Sequence, residues 1–189
     1  LGRKMDDIII EAAWATAYTG KTGSTTLAWP SAQKEIAVNY VESGGAANSN
    51  LTLGKLRYAR TILDSAEAQE DGEPLYIVAA PNQKQALLRE NAVNSADYNT
   101  VKALVNGEIN TFMGFNFIWT NRLPKSGNNR SVLCYAKSGL LLAMGKELQV
   151  DIGPRRDKRN TVQVYVVGSF GATRMWEDKV LRILCDETA

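Results

Sequence analysis

Three large aromatic side chains at alternate positions constrain the fold of this chain more than any other feature. Phe115, Phe117 and Trp119 are each separated by one residue. A period of two places all three rings on one face of a β-strand. Gly114 before them permits a tight turn, and Pro124 after them cannot continue a hydrogen-bonded ladder. We therefore predict a strand whose aromatic face packs into the core and which carries no catalytic chemistry.

The composition is that of an ordinary globular protein with little net charge. The chain has 189 residues, of which 44% are hydrophobic, and 22 Lys and Arg against 20 Asp and Glu give a net charge of +2. This length suits one domain or two small lobes. The balanced charge gives no overall signature of nucleic-acid or membrane binding. We expect no signal peptide, and no apolar run approaches the ~20 residues of a membrane span.

The chain contains no histidine. This excludes Ser–His and Cys–His nucleophile pairs and the usual zinc, copper and non-haem iron sites. Carboxylates, lysines and backbone amides remain, so an enzyme is not excluded, but the composition argues against one. Cys134 and Cys185 lie in apolar runs and are predicted to be buried free thiols. We therefore expect no catalytic residue, no cofactor and no metal ligand.

Hydrophobic periodicity predicts helices and strands in irregular order. Thr52 is a candidate N-cap for the longest helix, over residues 53–69. Residues 75–80 form a short apolar run that is typical of a buried strand. Residues 147–152 and 161–167 are predicted to form a long hairpin. Further helices are predicted over 4–18, from Pro81, over 94–105 and over 136–144, and further strands over 36–41, 131–135 and 180–185. This order indicates an α+β protein and not a regular βαβ series.

One pattern suggests nucleotide binding. Gly20-Lys21-Thr22 ends a loose version of the phosphate-loop pattern, and the apolar run before Asp186 resembles a strand that holds magnesium in such proteins. A phosphate loop requires a strand before it and a helix after it, so that backbone amides surround the phosphates. Here a helical pattern precedes the loop. A plain helix end and turn is the favoured interpretation, and a nucleotide-binding enzyme using Lys21 and Asp186 is an alternative.

Two charged clusters have simple interpretations. The basic tip of the predicted hairpin lacks interleaved aromatic residues for base stacking, so we favour a solvated tip, or one that pairs with a neighbouring subunit's carboxylates, over nucleic-acid binding. The acidic cluster near the end of the long helix would need converging ligands to bind a metal, so we favour a solvated helix rim. The basic tip comprises Arg155, Arg156, Lys158 and Arg159, and the acidic cluster comprises Asp64, Glu67, Glu70, Asp71 and Glu73.

A fixed order of short motifs runs through most of the chain. The long helix is followed by the apolar strand before Pro81, then by the Gly-Phe strand from Gly114 and the motif Thr-Asn-Arg-Leu-Pro that ends at Pro124. The basic hairpin comes next, and it leads to the motif Phe-Gly-Ala-Thr-Arg that ends at Arg174. In this order the chain resembles the major capsid proteins of tailed bacteriophages and prophages, with the capsid fold named for phage HK-ninety-seven.

The resemblance implies a peripheral domain and an axial domain. Residues 1–80 would begin the peripheral domain, with residues 53–69 as its spine helix. Residues 81–135 would form the axial domain, a mixed sheet with short helices. Residues 136–189 would return to the peripheral domain and contain its long antiparallel hairpin. Such proteins also carry an N-terminal arm and an extended loop, and because this sequence starts directly in the first helix, we expect it to lack both.

The function implied by the resemblance is structural. A major capsid (coat) protein self-assembles into pentamers and hexamers that form an icosahedral shell around viral double-stranded DNA. The expected partners are copies of itself, with a scaffolding protein, a protease and a portal as further candidates, and packaged DNA contacted only non-specifically. The expected location is the virion capsid, and the host cytoplasm during assembly. An encapsulin-like compartment shell is an alternative within the same fold.

Overall fold

The computed structural model describes residues 2–89 and 111–188, which contain four α-helices and eleven β-strands. The predicted helix over 94–105 lies outside these residues. The helices are α1 (Gly2–Trp14), α2 (Ser31–Lys34), α3 (Leu53–Ser65) and α4 (Pro81–Arg89). The strands are β1 (Ala17–Thr19), β2 (Thr25–Leu27), β3 (Glu35–Ile36), β4 (Leu75–Ala79), β5 (Thr111–Phe112), β6 (Phe115–Trp119), β7 (Lys125–Ser126), β8 (Asn129–Ala136), β9 (Leu140–Arg155), β10 (Thr161–Arg174) and β11 (Val180–Asp186).

A seven-stranded mixed sheet forms the centre of the molecule. Its strands lie in the order β3-β11-β8-β4-β6-β5, and β7 pairs with β8. Strand β4 runs parallel to β6 and antiparallel to β8, while β8 and β11 are antiparallel neighbours. The sheet takes strands from the segments before residue 81, between 81 and 135, and after 135. The predicted division of the chain into domains at these positions stays a prediction.

The aromatic strand lies inside this sheet, as predicted. Phe115 is fully buried and Phe117 is 8% exposed. Trp119 is half-buried and stacks on Phe117 with 5.2 Å between the ring centroids. Met113 and Gly114 both have positive φ, 53° and 80°, as a two-residue turn between antiparallel strands requires. The glycine permits this turn between β5 and β6.

Helix α3 begins at the residue predicted and packs its apolar stripe into the core. The Thr52 hydroxyl accepts a hydrogen bond of 3.3 Å from the backbone N–H of Lys55, which is the geometry of an N-cap. Leu56, Ala59 and Leu63 lie three to four residues apart on one side of the helix and are fully buried. They belong to the same cluster of buried residues as the strands of the central sheet.

Helix α3 ends at Ser65, four residues earlier than predicted. Glu67 adopts a left-handed backbone with φ 51°. Its N–H donates to the carbonyl of Asp64 (3.0 Å), and the N–H of Ala68 donates to the carbonyl of Leu63 (2.9 Å). These two bonds form a Schellman motif, which satisfies the last helical carbonyls and stops the helix. A non-glycine residue in the left-handed position gives no strong signal in the sequence.

Several predicted elements are wrong in extent or type. The first helix ends at Trp14 instead of residue 18, and the residues that follow it form a small hairpin of β1 and β2. The strand predicted over 36–41 is only two residues long, in β3. The helix predicted over 136–144 is a single 3₁₀ turn, Lys137–Gly139, followed by β9. Residues 140–144 pair with 170–174, and this long-range pairing overrides the local helical pattern.

The predicted hairpin is confirmed, and its strands are longer than predicted. Strands β9 and β10 pair only with each other among the described residues and project from the central sheet. Their register shifts twice between Val167 and Phe170. Helix α1 packs along the base of the hairpin, mainly against β10. The buried stripe of α3 packs into the core of the central sheet. Its assignment as the spine helix of a peripheral domain stays a prediction.

The end of β11 is held to the sheet by the carboxylate of Glu187. It forms ion pairs with Lys125, at 2.6 Å, and Arg130, at 2.5 Å, and its side chain is 4% exposed. Burial alone would raise the pKa of the Glu187 carboxyl, but hydrogen bonds from Arg130 and Lys125 lower it to about 2. A lowered pKa in the folded state means that ionised Glu187 stabilises the fold above its ordinary pKa of 4.5.

Replacing Glu187 with glutamine is expected to lower the free energy of unfolding at pH 7 by about 2 kcal/mol. The loss should shrink as the pH falls from 4.5 towards 2, because the wild-type carboxylate is protonated in that range. Urea denaturation at pH 7 and at pH 3 measures both effects. Asp157→Asn, which breaks an exposed ion pair with Arg155, is the control and should change little. An equal loss for Glu187→Gln at both pH values would contradict the prediction.

Candidate interaction surface

The distal half of the long hairpin has one entirely apolar face. In an antiparallel pair, residues opposite each other share a face, and successive residues of a strand alternate between faces. The register places valines of β10 opposite apolar residues of β9: 162 opposite 154, 164 opposite 152 and 166 opposite 150. Leu148 lies two residues before Val150 on β9, so its side chain is on the same face. We call these seven residues the apolar face: Leu148, Val150, Ile152, Pro154, Val162, Val164 and Val166.

The other face of the same segment is polar. Between the tip and Val167, its residues alternate with those of the apolar face along both strands. The ribbon is therefore amphipathic, as a strand pair with one solvated side should be. The residues of this polar face are Gln149, Asp151, Gly153, Arg155, Thr161, Gln163 and Tyr165, with Val167 opposite Gln149 at the end nearest the base.

The described residues leave the apolar face in contact with water. Val162 is 73% exposed and Ile152 is 64% exposed, whereas Arg174, at the base of β10, is only 5% exposed. The difference follows from length. Helix α1 spans about 20 Å, whereas β10 spans about 46 Å. Because α1 packs at the base, the distal half of the hairpin extends beyond the helix, and nothing in the described residues covers it.

Leaving this face in water is unfavourable. Fully burying a Val, Leu or Ile side chain stabilises by about 1.5–3 kcal/mol, so covering these half-exposed side chains would contribute about 1 kcal/mol each. When two molecules associate, the loss of translational and rotational freedom costs ~4–15 kcal/mol of free energy. The seven contributions together are comparable with this cost. One such contact would therefore be weak alone and effective when many act together. Contiguous apolar surface of this kind marks an interaction site.

Arg174 fixes the base of the hairpin to α1. Its Nη1 donates to the carbonyls of Ala13 (3.1 Å) and Ala15 (2.9 Å), at the C-terminal end of α1. Its Nη2 donates to a carboxylate oxygen of Glu177 (3.0 Å). The guanidinium carbon lies 5.1 Å from the ring centroid of Trp29. A positive charge at a helix C-terminus also interacts favourably with the helix dipole, so Arg174 orients the whole ribbon relative to α1.

The basic tip lies at the turn of the hairpin, where the sequence predicted it. Arg155 forms an ion pair of 2.8 Å with Asp157. Residues Arg156–Lys158 form a 3₁₀ turn, and Arg159 and Asn160 follow with positive φ of 52° and 58°. Four basic side chains against one acidic side chain leave the tip positively charged.

Comparison with known proteins shows the family of this chain. A family model described as "Phage capsid protein" matches residues 1–187. The chain belongs to the phage capsid protein family. The family consists of structural coat proteins and not of enzymes, as the sequence analysis expected. No curated protein matches the sequence significantly.

Solved capsids share the fold of this chain. The capsid of Ralstonia phage GP4 superposes with a TM-score of 0.70 at 13% identity, covering 97% of this chain and 63% of that chain. The capsid of cyanophage Pam1 gives a TM-score of 0.69 at 14% identity, covering 98% and 66%. The chain thus spans 63–66% of the length of these capsid chains. The predicted α+β capsid fold is confirmed.

An encapsulin also resembles this chain, with a less close fit. The holo-SrpI encapsulin complex from Synechococcus elongatus gives a TM-score of 0.50 at 14% identity, covering 82% of this chain and 54% of that chain. Capsids and this encapsulin therefore share one architecture. The fold alone does not separate a viral shell from a protein compartment.

The nucleotide-binding alternative is wrong for this chain. Gly20, Lys21 and Thr22 lie in the turn between β1 and β2, so an antiparallel strand follows the loop where a phosphate site needs a helix N-terminus. Asp186 is 8% exposed. Its carboxylate accepts hydrogen bonds from the backbone N–H and the hydroxyl of Thr188 (2.9 and 2.6 Å). These hydrogen bonds tie Asp186 to the residues that follow β11.

The acidic cluster does not converge on one point. Asp64 pairs with Arg60 at 2.8 Å, one turn earlier on α3. Glu73 accepts a hydrogen bond of 2.7 Å from the Ser138 hydroxyl at the base of the hairpin. Within residues 2–89 and 111–188, no three Cys, Asp or Glu side chains are grouped so that they could hold a metal ion. In the same part of the chain, no helix is long and apolar enough to cross a membrane.

Sequence reasoning missed one structurally important residue, Lys55. It is fully buried, and its ammonium group donates to three backbone carbonyls, those of Val38 (3.0 Å), Ser49 (2.7 Å) and Leu184 (3.0 Å). Burial lowers the pKa of this ammonium. The signal available in the sequence is its position four residues before the buried Ala59, beside the apolar stripe of α3. Lys55 joins the segment just before α3 to β11, whose Leu184 lies 129 residues further along the sequence.

Proposed function

We propose that this chain is the major coat protein of a tailed bacteriophage or prophage, which self-assembles into pentamers and hexamers of an icosahedral shell around double-stranded DNA. The observation that carries the proposal is the uncovered apolar face on a chain of the phage capsid family. A surface of this kind gains free energy only when a partner covers it. Many weak contacts of one type, repeated around closed symmetry, produce a stable shell.

The same proposal includes the expected partners and location. The shell would form in the host cytoplasm and persist as the virion capsid, with a scaffolding protein, a protease and a portal as further partners. Contact with DNA would be electrostatic and independent of sequence, because the net charge is only +2 and the basic tip carries no aromatic side chain for stacking. The peripheral domain (1–80 and 136–189) and the axial domain (81–135) would occupy the outer and axial parts of each ring.

Electron microscopy of the purified full-length gene product tests the proposal. We expect closed icosahedral shells or rings of five and six subunits. A protein that stays monomeric at all concentrations, salt conditions and temperatures would contradict it. Shells obtained from host cells also distinguish the encapsulin-like alternative, because a phage shell should contain DNA and a compartment shell should contain a protein cargo. Nuclease-protected DNA and mass spectrometry of the contents give this answer directly.

A further inference from the structure

We infer that a cavity between α1 and the central sheet binds a small organic cation, an aromatic ring system that carries an ammonium group. The cavity has a volume of about 320 Å³, which lies at the lower end of the range for small-molecule sites. The inference goes beyond the proposed function, because such a ligand takes no part in enclosing DNA. The lining residues that carry the argument are Asp6, Ile9, Ile10, Val78, Ile118 and Trp119.

The two walls of the cavity come from different parts of the fold. Strands β4 and β6 place Val78 opposite Ile118, so both side chains lie on the same face of the sheet. Phe115 and Phe117 lie on the other face, because successive residues of a strand alternate between faces. Helix α1 supplies the second wall with Ile9 and Ile10. The cavity is therefore separate from the core that the two phenylalanines fill.

An ion pair fixes α1 relative to the sheet beside this cavity. Asp7 of α1 pairs with Arg122, in the loop after β6, at 2.6 Å. The same guanidinium donates a hydrogen bond of 2.8 Å to the carbonyl of Arg3. These contacts hold the two walls apart in the unliganded chain, so the site is largely formed before a ligand enters, as is usual for small-molecule sites.

The cavity offers an apolar ligand both burial and contact with an aromatic ring. Ile10 and Val78 are each only 6% exposed and form apolar parts of its lining. Trp119 also lines the cavity, and its ring is held in place by the stack on Phe117. An aromatic ligand gains free energy here by leaving water and by packing against the indole ring.

The volume of the cavity sets the size of the ligand. One turn of an α-helix, about 10–12 Å across and 5.4 Å long, fills roughly 420–610 Å³, so a helix of another chain is too large. An apolar cavity of about 150 Å³ holds one benzene molecule. The cavity beside Trp119 has about twice that volume, and it therefore suits a ligand with two fused rings.

The charges around the cavity favour a cation in one orientation. The exposed carboxylate of Asp6 lines the cavity and has no hydrogen-bond or ion-pair partner among the described residues, whereas the neighbouring Asp7 is paired with Arg122. The ammonium of Lys84 lies 5.5 Å from the ring centroid of Trp119. A ligand ammonium is attracted to Asp6 and repelled by Lys84, so the ligand's ring system faces Trp119.

Three probes of similar shape test the class of ligand: naphthylmethylamine, the neutral naphthylmethanol and the anion naphthylacetate. Isothermal titration calorimetry of the unassembled full chain at pH 7 should give the amine a Kd on the order of 0.1 mM. The alcohol should bind about fivefold more weakly, since it lacks the ion pair with Asp6, and the anion more weakly still. In amide NMR spectra, the amine should shift signals of α1 and β6 and leave those of residues 148–166 unchanged.

Substitutions locate the binding site. Asp6→Asn should weaken binding of the amine about fivefold and leave binding of the alcohol unchanged. Glu11→Gln is the matched control, because it removes an exposed carboxylate of the same helix that does not line the cavity. Ile118→Trp, at a position that is 42% exposed, fills the cavity and should weaken binding of both probes at least tenfold. Thermal melts verify that the three variants fold.

The inference and the proposed function fail independently, because none of these measurements depends on shell formation. Absence of binding by the amine would overturn the inference, and this result is expected if another part of the chain or a second copy fills the cavity. Equal affinities for the three probes, or an amine affinity that Asp6→Asn leaves unchanged, would show that the cavity does not select cations and would also overturn it. Binding that Ile118→Trp leaves intact would place the probe elsewhere, with the same consequence.

Discussion

Replacing Lys55 with methionine is expected to lower the free energy of unfolding by about 3 kcal/mol, because each hydrogen bond to a charged group contributes about 1.5–3 kcal/mol and the carbonyls left behind are buried. Methionine keeps the apolar stem of the side chain and removes only the ammonium group. The three carbonyls that lose a donor belong to Val38, Ser49 and Leu184. For a protein of this length, the loss corresponds to a fall in melting temperature of about 10 °C.

The control for this prediction lies two residues further along α3. Arg57→Met removes one positive charge from the same helix, but its ion pair with Glu42 is exposed, with side chains 45% and 50% accessible. Such a pair contributes at most about 1 kcal/mol. Differential scanning calorimetry of the two variants and the wild type measures the difference. If Lys55→Met were as stable as Arg57→Met, the buried ammonium would have no structural role.

Local signals in the sequence predicted the central elements of the fold. The alternation of Phe115, Phe117 and Trp119 fixes which side of β6 faces the core, since a strand has a side-chain period of two. The N-cap at Thr52 was recognisable because a hydroxyl before an apolar helical stripe satisfies a free backbone N–H. Cys134 and Cys185 were correctly predicted as buried, because each lies in a continuous apolar run. In all these cases the residues that decide the structure are neighbours in the sequence.

Elements that depend on distant residues were not predictable in the same way. Residues 140–144 have a helical pattern, but they form a strand because residues 170–174 lie opposite them. The same limit applies to Lys55, since its three acceptors come from two other parts of the chain. The basic tip was placed correctly because a turn is a local feature. The period of two in residues 148–154 and 162–166 indicates a one-sided apolar ribbon, but only the structure shows that nothing in the described residues covers it.

Replacing Arg174 with methionine is expected to release the base of the hairpin from α1. The side chain is fully inaccessible to solvent and donates to the carbonyls of Ala13 and Ala15, which end α1. Loss of these charge-assisted bonds should cost about 3 kcal/mol, and the cost should be confined to the α1–hairpin contact. Backbone amides of α1 and of residues 168–174 should therefore exchange hydrogen for deuterium roughly 100-fold faster, while those of β8 and β11 stay protected.

Arg155→Met is the matched control, because it removes an arginine from the exposed tip of the same hairpin, where the side chain is 45% accessible and pairs with Asp157. It should leave exchange in α1 unchanged. Arg174→Lys should raise hydrogen exchange in α1 by an intermediate amount. A lysine keeps the positive charge, but its ammonium group cannot bind all the oxygen atoms that accept hydrogen bonds from the planar guanidinium. Unchanged exchange in α1 for Arg174→Met would show that apolar packing alone holds the helix. If exchange instead rises across β8 and β11 as well, Arg174 stabilises the whole fold, and the hairpin and the central sheet unfold as one unit.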